Sequence, residues 1–308
     1  MSGFQPANAA LEGFRITREN PRAFLIWAGA SFGINVLGIV VDALLPANIR
    51  HGLDTINAQE TPTPGQFLDA IILASPVLVF ALLVMSLMAA AVYRLIFRHD
   101  DTRFGYLRLG MDEVRLMAVT AIMVLVFIGA MVGAIFIVGL ILGLLSLVIP
   151  NALTALQFPA FVAILGIVFF VMVRFSLAPV ATFAERRIVV FESWGLTRGH
   201  VWQLLGAYAL AVACIFVILA LVMTIFIFIA AAILIAQGGQ FADAWEVIKP
   251  KGTSLTDYLS VWIVAYMLVN SVFGALSNAV LAAPGAVAYR ALHGEPPQPW
   301  ATAQPEAG

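Results

Sequence analysis

Six apolar runs, each long enough to cross a bilayer, constrain this chain more than any other feature. A helix needs about 20 apolar residues to span the hydrocarbon core. The runs extend from about Ala23 to Leu45, Phe67 to Tyr93, Leu116 to Ile149, Ala152 to Ala184, Val201 to Ala236 and Leu255 to Tyr289. Hydrocarbon offers backbone amides no partner, so such segments must satisfy themselves as helices. Composition agrees: 62% of residues are hydrophobic and 11% charged, against about 25% charged in soluble domains. The expected fold is an all-α polytopic membrane protein with six transmembrane helices. Residues 1–22 read as a cytoplasmic amphipathic N-terminal segment, 23–292 as the six-helix domain, and 293–308 as a disordered C-terminal tail. Several runs exceed the spanning minimum, which leaves tilting, kinking or extension beyond the membrane.

Charge placement orients the bundle. All but Arg50, Lys249 and Lys251 of the 16 Lys and Arg residues fall on one side. That side comprises Arg15, Arg18 and Arg22, the connection from Arg94 to Arg115, the stretch from Arg174 to Arg198, and Arg290. Lys and Arg accumulate on cytoplasmic loops, so both termini are expected in the cytoplasm. The loops 46–66 and 237–254 and the Pro150-Asn151 turn then face outward. The N-terminus carries two acids before its first long apolar run and does not read as a cleaved signal peptide.

The twelve residues FESWGLTRGHVW (191–202) interrupt this hydrocarbon with Glu192, Arg198, His200 and two tryptophans. Trp194, Arg198 and Trp202 are spaced by four and would share one face of a helix. Trp favours the headgroup level, and Arg lifts its guanidinium to the surface from an apolar stem. An interfacial amphipathic segment accounts for the spacing. A sharper alternative has Arg186, Arg187 and Arg198 converging on a phosphate, which planar guanidinium donors engage two oxygens at a time.

Related segments precede the first and third runs: FRITRENPRAF from Phe14 and FGYLRLGMDEV from Phe104. Phe14, Phe104 and Trp194 stand 90 residues apart, as do Arg18, Arg108 and Arg198. The pattern reads either as three copies of a segment-plus-hairpin unit or as the ordinary punctuation of three long hairpins. Arg108 joins Arg174, Arg186, Arg187, Trp194, Arg198 and Trp202 as a candidate headgroup or anion contact.

Ten uncharged residues follow Arg174. On an unbroken helix it would sit deep in hydrocarbon, with helix carbonyls, Asn270, Asn278 or, less readily, Glu185 as partners. If Pro179 turns the chain, Arg174 merely reaches the interface, and counting from Ala152 favours this. Asn270, Ser277 and Asn278 form a polar stripe with Gly274 on the sixth run. It faces protein or a wet cavity, either as interhelical hydrogen bonds or as a substrate path. Gly29/Gly33, Gly129/Gly133 and Gly139/Gly143 are small-residue pairs suited to close helix approach, within the chain, between copies, or against a protein partner.

The pattern Arg174, Leu177-Ala178-Pro179, Glu185, then Trp194-Gly195-Leu196-Thr197-Arg198-Gly199 with Trp202 and Leu204-Leu205 resembles a family of bacterial inner-membrane proteins. This is the glycerophosphoryl diester phosphodiesterase membrane domain, with its six-helix relatives. The resemblance implies a helical domain of the bacterial inner membrane that sometimes anchors a phosphodiesterase. The paired acids and His-Arg-Gly element of such a catalytic domain are absent here, so the activity does not carry over.

Cys214 is the single cysteine, and His51, His99, His200 and His293 lack ligand spacing. No metal or other cofactor is expected, and net charge −1 gives no reason to expect a nucleic-acid partner. No acid, base and nucleophile converge in the runs, as catalysis would need. The expected function is non-catalytic: lipid interaction, membrane organisation or service to a partner, with anionic lipids as the contacts. The alternative is a transporter or channel for a lipid-like or anionic solute.

Overall fold

The computed structural model describes residues 5–44, 64–98, 103–149, 152–241 and 260–293. Residues 45–63 and 242–259, the Pro150-Asn151 turn and the tail from 294 lie outside these residues, as does the side chain of Asp42. The fold is all-α, with no strand among the described residues. Its helices are α1 (Pro6–Glu19), α2 (Pro21–Leu44), α3 (Pro64–Phe97), α4 (Met111–Ser146), α5 (Ala152–Ala155), α6 (Gln157–Phe175), α7 (Ala178–Glu185), α8 (Glu192–Leu196), α9 (Val201–Ala236) and α10 (Val261–Leu292). Among the described residues, six stretches are long and apolar enough to cross a membrane: those of α2, α3, α4, α6 with α7, α9 and α10.

Length decides where packing occurs. The 36 residues of α4 or α9 extend about 54 Å, well beyond a hydrocarbon core of about 30 Å. Burial is concentrated at the basic end. There the last turns of α3 bury Met88 and Ala90–Ile96, the first turns of α4 bury Glu113, Leu116 and Val119, and α7 buries Val180–Phe183. Toward the opposite end, large apolar side chains such as Leu125 and Phe136 are about 70% exposed. Lipid tails satisfy such surface as well as another helix does.

The central element is α10, which packs against α1, α2, α3 and α9. Its Ala275, Ala279, Ala283 and Ala286 are wholly buried and form a seam at helical spacing. The Gly pairs singled out in the sequence do not serve this purpose. A Cβ added at Gly29, Gly33, Gly129, Gly133, Gly139 or Gly143 would meet nothing within 4 Å.

Residues 6–19 belong to this packed end rather than standing apart from a domain that begins at 23. Pro6 opens α1 at a position where no N–H is needed, and Asn20, kept out of the helical region by the following Pro21, closes it with a backbone N–H on the Ile16 carbonyl at 3.0 Å. Ala9, Ala10, Gly13 and Ile16 are buried against α9 and α10. At Gly13 the backbones touch: a Cβ there would lie 2.7 Å from the Ala279 carbonyl oxygen and from the Val280 nitrogen.

The three similar segments adopt three different conformations. Phe14 and Arg18 lie in α1, whereas Phe104, Gly105 and Tyr106 form a tight left-handed turn with φ of 50°, 63° and 68°. Trp194 belongs to the short α8. Neighbour relations also differ. α4 with α6 and α9 with α10 pack as sequence-adjacent pairs, whereas α2 packs mainly on α10.

Candidate functional site at the basic end

The stretch from Arg174 to Trp202 is built around the end of α6. From Gln157, Arg174 lies about 26 Å along the helix, which is nearly a full membrane crossing. The helix then stops at Phe175, and α7 restarts at Ala178 with Pro179 in its first turn. The Arg174 carbonyl is taken up by the next segment: Ser193 Oγ donates to it at 2.9 Å, and Thr197 Oγ1 lies 3.3 Å away. Both hydroxyl residues are wholly buried. In return, Arg174 Nη1 donates to the Trp194 carbonyl at 3.2 Å. Its guanidinium carbon stands 4.9 Å from the Trp194 ring centroid and 5.2 Å from that of Phe170. Phe175 adds ring contacts to Trp194 at 5.6 Å and Phe191 at 6.0 Å.

Arg174 is therefore half-buried where α6 ends, paired with a helix carbonyl and two aromatic faces. Asn270, Asn278 and Glu185 are not its partners. Glu185 instead accepts from Arg187 Nε at 2.8 Å and from the Tyr289 hydroxyl at 3.2 Å.

The shared helical face expected for Trp194, Arg198 and Trp202 does not form. α8 ends at Leu196, Gly199 takes φ +86°, and α9 begins at Val201. Only Gly adopts such a φ without strain, so residue 199 breaks the helix that the spacing implied. Trp202 is 82% exposed on the first turn of α9.

The expected convergence of Arg186, Arg187 and Arg198 on one phosphate is also altered. Arg187 grips both oxygens of Glu192 at 2.9 and 2.7 Å. These hydrogen bonds, and then those to Glu185, raise its pKa above the ordinary arginine value. A guanidinium so engaged has little left to offer an anion. Arg186, in a left-handed conformation that closes α7, and Arg198 are exposed and have no carboxylate partner among the described residues. A buried hydroxyl sets the loop between them: Thr182 Oγ1 bonds the Val189 carbonyl at 3.1 Å and accepts from its N–H at 3.0 Å.

Sequence reasoning missed the neighbouring charged cluster. Arg94, 4% exposed, donates to the Tyr106 carbonyl at 3.0 Å, to the Arg108 carbonyl at 3.4 Å and to Glu113 Oε1. The Arg108 carbonyl is thus part of this cluster. Arg98 pairs with Asp112 at 2.8 Å and lies 4.7 Å from the centroid of the Phe183 ring. Trp27 Nε1 donates to the Gly105 carbonyl at 2.6 Å. Together Arg94 and Trp27 clamp the left-handed turn, whose two non-glycine positive φ values cost about 1–3 kcal/mol each. The available sequence signal was an acid pair opening α4, a position that favours acids on dipole grounds alone.

The polar stripe of α10 is partly local. Asn278 Nδ2 donates to Gly274 one turn back at 2.9 Å, and Ser277 Oγ is buried with no partner. The interhelical bond sits beside the stripe, where Asn35 Nδ2 of α2 donates to Ser271 Oγ at 3.0 Å. Among the described residues, no three His, Cys, Asp or Glu side chains gather as a metal site.

No family model, curated protein or solved structure matches this chain.

The hydroxyl clamp on Arg174 yields a direct prediction. The double variant Ser193→Ala/Thr197→Val leaves a part-buried carbonyl without its donors, a loss of about 1–3 kcal/mol. Unfolding in detergent should show this, with the emission of Trp194 shifting toward that of a hydrated indole.

Proposed function

We propose that this chain is a non-catalytic integral membrane protein whose basic end engages anionic lipid headgroups. The division of its arginines carries the reading. Arg15, Arg94, Arg98, Arg115 and Arg187 each face a carboxylate. Arg186 and Arg198 do not, and they stand near exposed Phe191, Trp194 and Trp202 in the sequence. Free guanidinium groups among exposed aromatic rings suit a headgroup layer, because rings settle at its depth and Arg binds phosphate oxygens in pairs. Each such charge near an anionic leaflet contributes about 1 kcal/mol. Trp194, Arg198 and Trp202 also belong to the pattern that resembles the bacterial inner-membrane family. With the arginine asymmetry, that supports a multi-pass protein of the inner membrane with its basic end and both termini in the cytoplasm.

The test compares lipid retention by the native protein and Arg186→Gln/Arg198→Gln in nanodiscs of mixed anionic and zwitterionic lipid. Selectivity for anionic lipid should fall several-fold for each arginine removed. Unchanged selectivity rejects the reading. A second reading, transport of a lipid-like or anionic solute, draws on the orphaned Ser277 hydroxyl and half-buried Asn270 in α10. Solute flux in proteoliposomes, with lipid selectivity unchanged in the double variant, would favour it.

A further inference from the structure

We propose that the Phe104 side chain inserts into the inner lipid surface beside the first turns of α2, as an anchor that fixes the depth of the basic end. The turn 104–106 faces the bundle through two of its residues. Tyr106 is buried, and its carbonyl is held by Arg94 at 3.0 Å. Gly105 is buried as well, and its carbonyl accepts from Trp27 Nε1 at 2.6 Å. A Cβ on Gly105 would lie 3.0 Å from the Ile26 side chain. These contacts account for residues 105 and 106. They do not account for Phe104, whose side chain is 81% exposed while its backbone takes φ 50°. For a bulky residue that φ is a genuine outlier, and such strain persists only where the surroundings enforce it. Gly or Asn would take the same conformation at less cost and would expose no ring. The partner of this ring therefore lies outside the chain.

The neighbouring helix identifies that partner. α2 has 24 residues and extends about 36 Å, little more than a hydrocarbon core of about 30 Å. Unlike α4 and α9 it has no length to spare, so its first turns stand at the boundary of the core. Leu25 and Ile26, in those turns, are exposed, and their stretch, Pro21–Val41, is long and apolar enough to cross the membrane. Their exposed surface is therefore lipid-facing. Gly105 rests on Ile26, so Phe104, one residue away, continues this surface where hydrocarbon gives way to headgroups. Phe is among the side chains that interfacial segments sink into that layer. The contact is apolar, calls for no anionic lipid and uses none of the 174–202 residues. It stands or falls separately from the headgroup surface proposed above.

Cys214 is the only cysteine, so the double variant Phe104→Cys/Cys214→Ser carries a single thiol. At so exposed a position the first substitution is compatible with folding. The thiol is labelled with nitrobenzoxadiazole, and the protein is placed in nanodiscs of phosphatidylcholine containing nitroxide-labelled phosphatidylcholine. A nitroxide near the carbonyl end of the acyl chain should quench the label several-fold more than one near the terminal methyl. Aqueous iodide should quench it several-fold less than it quenches the same label on glutathione. The pattern should persist when Arg186→Gln/Arg198→Gln is added. Iodide quenching equal to that of labelled glutathione would put position 104 in water, and resistance to both kinds of quencher would put it against protein. Either result overturns the proposal, as does stronger quenching from the terminal methyl.

Discussion

Replacing Arg94 by alanine is expected to destabilise the protein by about 3–5 kcal/mol, the usual cost of removing one partner from a buried ion pair. The geometry explains why the loss is large. Glu113 is 1% exposed, and its second carboxylate oxygen is already buried without a partner. Without Arg94 the buried carboxylate loses its counter-ion, and the carbonyls of Tyr106 and Arg108 lose this donor. The strained turn 104–106 then loses the Arg94 side of its clamp and keeps the Trp27 bond. Glu113→Gln should cost less, because an amide can still accept from the guanidinium. The double variant Arg94→Met/Glu113→Leu should recover much of the loss, since an apolar pair of similar volume often matches a buried salt bridge. Equilibrium unfolding in detergent measures all three. A single Arg94→Ala variant as stable as the parent would show that the pair is not buried in the folded protein.

The substitution Gly13→Leu is expected to expel α1 from the bundle. Overpacking a core typically costs about 1–3 kcal/mol, occasionally more, and it is cheapest where a flexible side chain gives way. Here the obstacles are the Ala279 carbonyl oxygen and the Val280 backbone, which belong to the central helix. The helices must separate, and the burial of Ala9, Ala10 and Ile16 goes with the contact. Trypsin cleavage after Arg15 and Arg18 should accelerate sharply while the remaining helices stay protected. Gly13→Ala should produce the same change in milder form. Unchanged proteolysis in the leucine variant would mean that α1 is not docked as described.

Much of the architecture was readable in advance because membrane insertion is a local matter. Each run of about 20 apolar residues gains from leaving water whatever its neighbours do, so the six spanning stretches stand near their expected places. The break after Phe175 was also foreshadowed, by Pro179 and by the length of the run before it.

The site was less legible. The spacing of Trp194, Arg198 and Trp202 suggested one face, but spacing does not reveal whether Gly199 takes a positive φ. The convergence of Arg186, Arg187 and Arg198 failed on Glu185 and Glu192, which lie beside Arg187 in the sequence and close on it only through the turn after α7. Arg94 looked like one more interfacial cation. Nineteen residues separate it from Glu113, and their burial together depends on two helix ends meeting.

The amino-acid sequence by itself determined that this chain is a six-span helical membrane protein with its cations concentrated at one end. Those properties follow from transfer energies and charges that belong to individual segments. Tertiary structure alone decided which helices touch, that α1 is wedged against α9 and α10, and which guanidinium groups are consumed by carboxylates. The physical reason is that lipid tails are as apolar as the side chains they would replace. Hydrophobicity therefore drives the segments into the membrane without choosing their neighbours. That choice rests on backbone fit at residues such as Gly13 and Ala279 and on the pairing of buried charges.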